Sequence, residues 1–444
     1  MTLLSRIFGI MVNWQLKNKR LLYLICGIFS ILWMFFYFKN LVIVPFHPDE
    51  STQIYMSKDV ELLLNHTTDL YFQETVQNSI EQNYRLLDAP LTKYFIGIFR
   101  IIFKLESIPF DWDWSKSWND NQKAIPGDQL LLISRLSSAI FFPFSIVLFA
   151  LIVKEVFKSD NLSIFLSLIL FAFNSLLLLH TRRAMAESSM IFFLLLSLLT
   201  LSKIPNKWFF LAAVPIALAI NAKQILIFLI PLAILLLIWI YKNQFKNFMM
   251  QFILFFVLLV GVFLILNPIA WKQPIQVAKQ MVNQRIELSR NQIDAIETVS
   301  PEFLTNSFSK RSVAFIAQLF ILQPIPQEIS NYQEYLNQSI VDYFKNPLHR
   351  GFIRNLFGGT IYLVFFLIGF YKSISSLPTK FKLIFLSGFI LFSFEILLSL
   401  ALPFQRYYLP AIPFTIIFAM IGLRQIINII KNSSSHSRIK LNHE

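Results

Sequence analysis

The chain has 444 residues, of which 56% are hydrophobic and 14% charged, with a mean hydropathy of +0.59. Soluble domains carry roughly a quarter charged residues, so this composition excludes an ordinary water-soluble protein and points to lipid as the main solvent. The 39 basic and 25 acidic residues leave a net charge of +14, which in a soluble chain would suggest nucleic acid and here needs another account.

In chain order, a basic tail (1–20) ending Lys17-Asn18-Lys19-Arg20 precedes a long apolar run with no small-residue cleavage site. That pattern predicts an uncleaved first span and not a signal peptide. The single cysteine, Cys26, excludes an internal disulfide framework and a thiolate metal cluster. A bilayer core needs about 20 mostly apolar residues per helix. Runs of that kind fall at 21–44, 135–153, 161–180, 188–202, 208–221, 224–241, 248–267, 352–371, 383–402 and 408–427. The stretch 208–241 also reads as one hairpin kinked at Asn221-Ala222-Lys223. The fold class is therefore an all-α polytopic membrane protein of about ten spans.

The organisation that follows is a transmembrane core at 21–267, which includes a long polar stretch at 45–134. A second long stretch at 268–351, C-terminal spans at 352–427 and a tail at 428–444 complete it. Alternate connectors share a side. Lys154, Lys158, Lys203, Lys207, Lys242, Lys246, Lys372, Lys380 and Lys382 all fall on the side of the two tails. Short loops rich in Lys and Arg stay cytoplasmic, which predicts both termini inside and both long stretches outside, in a bacterial or archaeal cell membrane. With Arg424, at the inner end of the last span, counted among them, the inner segments carry only Glu155, Asp160 and Glu444 as acids, and their basic surplus equals the whole +14. The charge is thus a topology signal, and no nucleic-acid partner is expected.

The outer stretches contain helix patterns. Residues 89–103 are apolar at most positions, with Lys93 and Arg100 seven apart, as suits a helix lying in the interface. Residues 275–298 read as a polar amphipathic helix, and 331–345 place Tyr332, Tyr335, Tyr343 and Phe344 at helical spacing. The segment Asp111-Trp112-Asp113-Trp114-Ser115-Lys116-Ser117-Trp118 fits interfacial aromatics better than sugar stacking.

Four polar clusters lie at outer ends of spans. His47-Pro48-Asp49-Glu50 sets two carboxylates beside a hydrocarbon boundary, where desolvation can make a general base; the plainer reading is a helix N-cap with acids on the dipole. Arg182-Arg183 breaks the charge bias of the short loops and suits an anionic ligand, or else lipid headgroups or Glu187. Lys223 sits between two tightly spaced spans, and Gln405-Arg406-Tyr407-Tyr408 opens the last one. Asp49, Glu50, Asp88, Glu187 and His47 also form a donor set able to take a divalent cation, with Asp49, Glu187 and His47 foremost, although no spacing compels a metal.

The ordered set HPDE at 47–50, DAPLTKY at 88–94, RLSSA at 135–139, RRAMAES at 182–188, NAK at 221–223, NP at 267–268 and RYYLPAIPF at 406–414 resembles the C-type membrane glycosyltransferases of family 39. That family includes protein O-mannosyltransferases and lipid A aminoarabinose transferases, and the resemblance runs from about 21 to 427. It implies an inverting transferase that moves a sugar from a polyprenyl-phosphate carrier to an extracytoplasmic acceptor, which is a lipid, glycan or protein. Asp49 matches the family's catalytic carboxylate, with Glu50 beside it. Asp88 falls where relatives carry an acid or histidine, and Glu187 falls on an acid that is more often aspartate. A lysine that contacts the carrier phosphate in some members is replaced by Ala89. Arg182, Arg183, Lys223, Arg406 and Lys93 are then the candidates to bind the donor phosphate. No large C-terminal outer domain is expected.

Two other classes remain in view. A secondary transporter would carry midplane ionisable groups and related halves, whereas only Glu395 lies deep in a span and no repeat is evident. A non-catalytic lipid-binding subunit with the same fold is the third.

Overall fold

A computed structural model describes residues 19–74, 79–158, 160–327 and 332–441. Most of the N-terminal tail lies outside these, as do residues 442–444. Among the described residues there are helices and turns but no strand. The chain divides into two units, Met1–Val42 and Ile43–Glu444. The described residues of the first contain the helix Lys19–Lys39, ended by Asn40, whose side-chain amide donates to the Phe36 carbonyl at 2.6 Å.

Each of the remaining apolar runs in the second unit is helical. Among the described residues, five helices are long and apolar enough to cross a membrane: Asp128–Phe157, Phe245–Leu266, Leu356–Ser376, Thr379–Ser399 and Gln405–Ile430. The run expected at 135–153 thus starts a full two turns earlier. The run at 161–180 is broken into Asn161–Ala172 and Ser175–His180. Asn174 causes the break, because its side-chain oxygen accepts the backbone N–H groups of Leu176 and Leu177 at 3.1 and 3.3 Å and starts a new helix. Glu187–Lys203 follows. Residues 208–241 form two helices, Asn206–Ala222 and Gln224–Ile240, parted by Lys223 in extended backbone (φ −157°, ψ 126°). The last helix continues through the expected tail as far as Leu441. On Phe245–Leu266 the side chains of Ile253, Leu254, Val257, Val260 and Ile265 are exposed, as on a helix that meets lipid over much of its circumference.

Two glycines set the closest helix contact. A Cβ on Gly369 would overlap the Phe418 carbonyl oxygen, and one on Gly422 would overlap that of Phe365. Small residues let backbones approach in this way where water supplies no driving force between helices. Phe366, Phe370, Phe389 and Phe418 then fill the neighbouring space with ring centroids 5.3–5.9 Å apart, so part of the abundant phenylalanine serves helix packing. Gly369→Leu is expected to force these helices apart at a cost of about 1–3 kcal/mol or more. A clear drop in the thermal midpoint in detergent checks this, and an unchanged midpoint would refute the close contact.

The polar stretch 45–134 folds into Pro48–Met56, Asp59–Asn65, Ile80–Leu87 and Leu91–Ile102. The stretch 268–351 contains Pro274–Val299, Phe308–Ile316 and Gln333–Phe344. All three interfacial patterns are therefore helices, but Leu91–Ile102 is oriented against expectation. Its basic residues Lys93 and Arg100 are buried, while Ile98, Ile101 and Ile102 are exposed. Lys93 pairs with Asp59 at 3.0 Å, and Arg100 with Glu61 at 2.6 Å. Charge inside and isoleucine outside is the arrangement of a helix whose free face meets an apolar medium.

Candidate active site

The site grows from the start of Pro48–Met56. His47 is the N-cap residue: its Nδ1 accepts the Asp49 backbone N–H at 3.1 Å, and Glu50 Oε2 accepts the His47 backbone N–H at 3.1 Å. This reciprocal cap needs a neutral imidazole with an unprotonated Nδ1. Burial, the largest influence, holds His47 well below the usual histidine range, and the Arg183 charge adds to the effect against the opposing pull of Asp49.

A helix turns about 100° per residue, so the adjacent acids Asp49 and Glu50 face different ways. Glu50 is fully buried and accepts from Arg135 Nε and Nη2, both at 2.8 Å, and from the Ala184 backbone N–H at 2.9 Å. With His47 N–H it has four donors and ties three segments together. The expected catalytic part for Glu50 does not fit this geometry, because no lone pair is left facing a substrate. Asp49 instead keeps about 30% of its side-chain surface exposed and pairs with Arg406 Nη1. Burial pushes Asp49 up, but the charge and hydrogen bond of Arg406 outweigh it and hold the carboxyl at about 2.

A second ion pair joins Glu187, in the first turn of Glu187–Lys203, to Lys223 at the break between two helices. Glu187 is buried, and its Oε2 has no hydrogen-bond partner among the described residues. Tyr407 links the two pairs, with Lys223 Nζ over its ring at 5.2 Å and the Arg406 guanidinium at 5.6 Å. Asp49, Arg406, Tyr407, Lys223 and Glu187, from four separate segments, thus form one cluster.

Asp88 ends Ile80–Leu87 beside this cluster. Burial raises its carboxyl above the usual range, and Asp49 adds to the rise against the pull of Arg285, Lys93 and Arg406. Arg285 was not anticipated, since nothing distinguishes it within a long polar helix. It donates to the Leu87 carbonyl oxygen and, at 2.8 Å, to Gln224 Oε1. Asp111 was also missed behind the tryptophans that follow it. It accepts from Tyr84 at 2.5 Å and Thr52 at 2.8 Å, and burial raises it, with a contribution from Asp49. Trp112 is buried against Phe46 and Tyr332, Trp114 meets the His47 ring edge at 6.5 Å, and Trp118 stacks on Tyr335 at 5.1 Å.

The other expected phosphate ligands are placed differently. Arg182 and Arg183 are fully buried. Arg182 Nη1 lies 3.0 Å from His349 Nε2, and the other ring nitrogen of that histidine is 2.8 Å from the Tyr343 carbonyl. Burial and Arg182 push His349 down to about 4, against the backbone bond to Tyr343, so a neutral ring accepts from the arginine. Arg183 donates to the carbonyls of Pro45 (3.2 Å) and Pro326 (2.6 Å) and fixes the loop that carries His47. Lys93 is held in a buried triad with Asp59 and Arg85. Lys223 and Arg406, 18% and 12% exposed, are the two expected cations that keep surface at the cluster.

The residues present do not fit a divalent-cation site. Asp49 turns to Arg406, Glu187 to Lys223 and Glu50 to Arg135, and among the described residues no three of His, Cys, Asp and Glu converge on one point.

Residues 66–285 match the family model of dolichyl-phosphate-mannose-protein mannosyltransferases, the family 39 glycosyltransferases. The match spans Asp88, Arg182, Arg183, Glu187, Lys223 and Arg285, while Asp49 and Arg406 lie on either side of it. No curated protein matches the chain. The family match and the five long apolar helices among the described residues point to an integral membrane glycosyltransferase.

Proposed function

We propose that this membrane glycosyltransferase takes a sugar from a polyprenyl-phosphate donor and passes it, with inversion, to a hydroxyl of an extracytoplasmic lipid, glycan or protein. Ten spans, with both termini cytoplasmic, put the cluster on that face, as the bias of basic residues in the short loops argues. The observation that carries the reading is the cluster itself. A partly exposed carboxylate, Asp49, stands beside two partly exposed cations, Arg406 and Lys223, that are held against one tyrosine ring.

The chemistry follows from charge. The acceptor oxygen attacks the anomeric carbon as the bond from that carbon to the phosphate oxygen breaks, and the acceptor proton passes to Asp49. Negative charge grows on the leaving phosphate, so fixed cations stabilise the transition state more than the ground state. Arg406 and Lys223 are placed for that, and Arg285 approaches from the second long polar stretch. A single displacement inverts the anomeric configuration. The membrane supplies the path for the polyprenyl tail.

Purified protein in lipid nanodiscs, given polyprenyl-phosphate hexoses and pentoses with crude acceptor lipid, is expected to release polyprenyl phosphate in step with sugar transfer. Absence of release with every donor, together with solute flux in proteoliposomes, would replace this reading with a transporter.

A further inference from the structure

The Asp49–Arg406 pair poses a difficulty for the reaction just described. A base bonded to a guanidinium has little affinity for a proton, and a guanidinium bonded to a carboxylate has fewer donors to give a phosphate. Each of the two residues is blocked by the other. We propose that the donor phosphate takes Arg406 away from Asp49, so that arrival of the sugar donor is what frees the base.

Three features support this exchange. Asp49 is 30% exposed and pairs with Arg406, whereas Glu187, the other carboxylate of the cluster, is 1% exposed, and the neighbouring Glu50 is buried with four donors. The two partners sit on elements far apart in the chain, Pro48–Met56 and the 3₁₀ helix Gln405–Ala411, so a shift of the long arginine side chain separates them without breaking a helix. A second cation, Lys223, lies over the same Tyr407 ring as Arg406. An anion at that ring meets both cations, Arg406 and the Glu187-paired Lys223, whereas Asp49 contacts Arg406.

Once Arg406 turns to phosphate, the groups still facing Asp49 are His47 at 3.9 Å, Lys223, Asp88 and Asp111. Burial and the two aspartates then favour a proton on Asp49, opposed by Lys223 and His47. Base strength therefore rises when the donor is bound and stays low when the site is empty. The same exchange opposes activation of water before a sugar is in place.

This inference rests on the glycosyltransferase reading, and one experiment separates the two. Binding of polyprenyl phosphate, the reaction product, is measured by microscale thermophoresis on full-length protein in nanodiscs, for the wild type, Asp49→Asn, Asp49→Ala and Arg406→Gln. Because Asp49 occupies Arg406 in the free protein, apparent affinity is reduced by the fraction of arginine so engaged. Removing the carboxylate is expected to tighten binding, on the order of tenfold, in both Asp49 variants, while Arg406→Gln weakens it. Two replacements guard against one that fails to fold. Unchanged or weaker binding in the Asp49 variants, in a wild type that turns over donor, overturns the exchange and leaves the function standing. A wild type that neither binds polyprenyl phosphate nor turns over donor overturns both.

Discussion

Asp49→Asn is expected to lower the transfer rate by about 10²- to 10⁴-fold, the usual worth of a positioned general base, without loss of folded protein. The helix cap beside it uses the Asp49 backbone N–H, not its carboxylate, and the side chain is partly exposed, so the fold does not depend on the charge. Asparagine keeps the shape and cannot take the acceptor proton. With tighter donor binding, kcat and the donor KM should fall together, which distinguishes this variant from one that only disturbs the site. The pH dependence has a definite sign. In the free protein Arg406 holds Asp49 at about 2, so the base stays ionised there as pH falls through the mild acid range. Replacing the arginine with Gln removes that pull and moves the acid limb of the residual kcat/KM, which reports the free enzyme, upward. Transfer at the wild-type rate by Asp49→Asn would remove Asp49 from the mechanism.

Glu50→Gln, one residue further on, is expected to fail for the opposite reason. Glu50 balances the buried Arg135 through two bonds of 2.8 Å and accepts two backbone N–H groups. Glutamine removes the charge and can accept at only one of its two positions, which leaves a guanidinium in the protein interior without its carboxylate. Removing one member of a buried pair costs about 3–5 kcal/mol, a large share of the ~5–15 kcal/mol by which folded domains are stable. The expected outcome is a steep loss of monodisperse protein and a lower thermal midpoint, whatever the activity per folded molecule. A variant that melts like the wild type but transfers no sugar would place Glu50 in the chemistry instead.

The contrast between these neighbours marks where sequence reading stops. Asp49 and Glu50 share the same flanking residues and the same apolar boundary. What separates them is an arginine 85 positions away and another 357 positions away. Arg182 and Arg183 show the same limit. Their place in a short connector signalled an unusual role, but His349 and the carbonyls of Pro45 and Pro326 consume them internally. Lys93 looked like an interfacial cation because its helix is apolar on most positions, and Asp59 draws it inward. Arg285 and Asp111 gave no local signal, since one lies in a long polar helix and the other is overshadowed by tryptophans.

What the sequence determined by itself is the helical, membrane-embedded character and the placement of helices along the chain. These depend on runs of apolar residues, and a backbone surrounded by lipid has to satisfy its hydrogen bonds within each helix. The sequence also nominated the four clusters and named Asp49, Glu187, Lys223 and Arg406, because charge beside hydrocarbon is costly enough to stand out. Only the tertiary structure decided which charges meet. An ion pair depends on distances of a few ångströms between segments tens to hundreds of residues apart, and hydropathy carries no information about such distances. In this way Glu50 and the paired arginines became supports of the fold, and Asp49, Arg406, Tyr407, Lys223 and Glu187 became the candidate site.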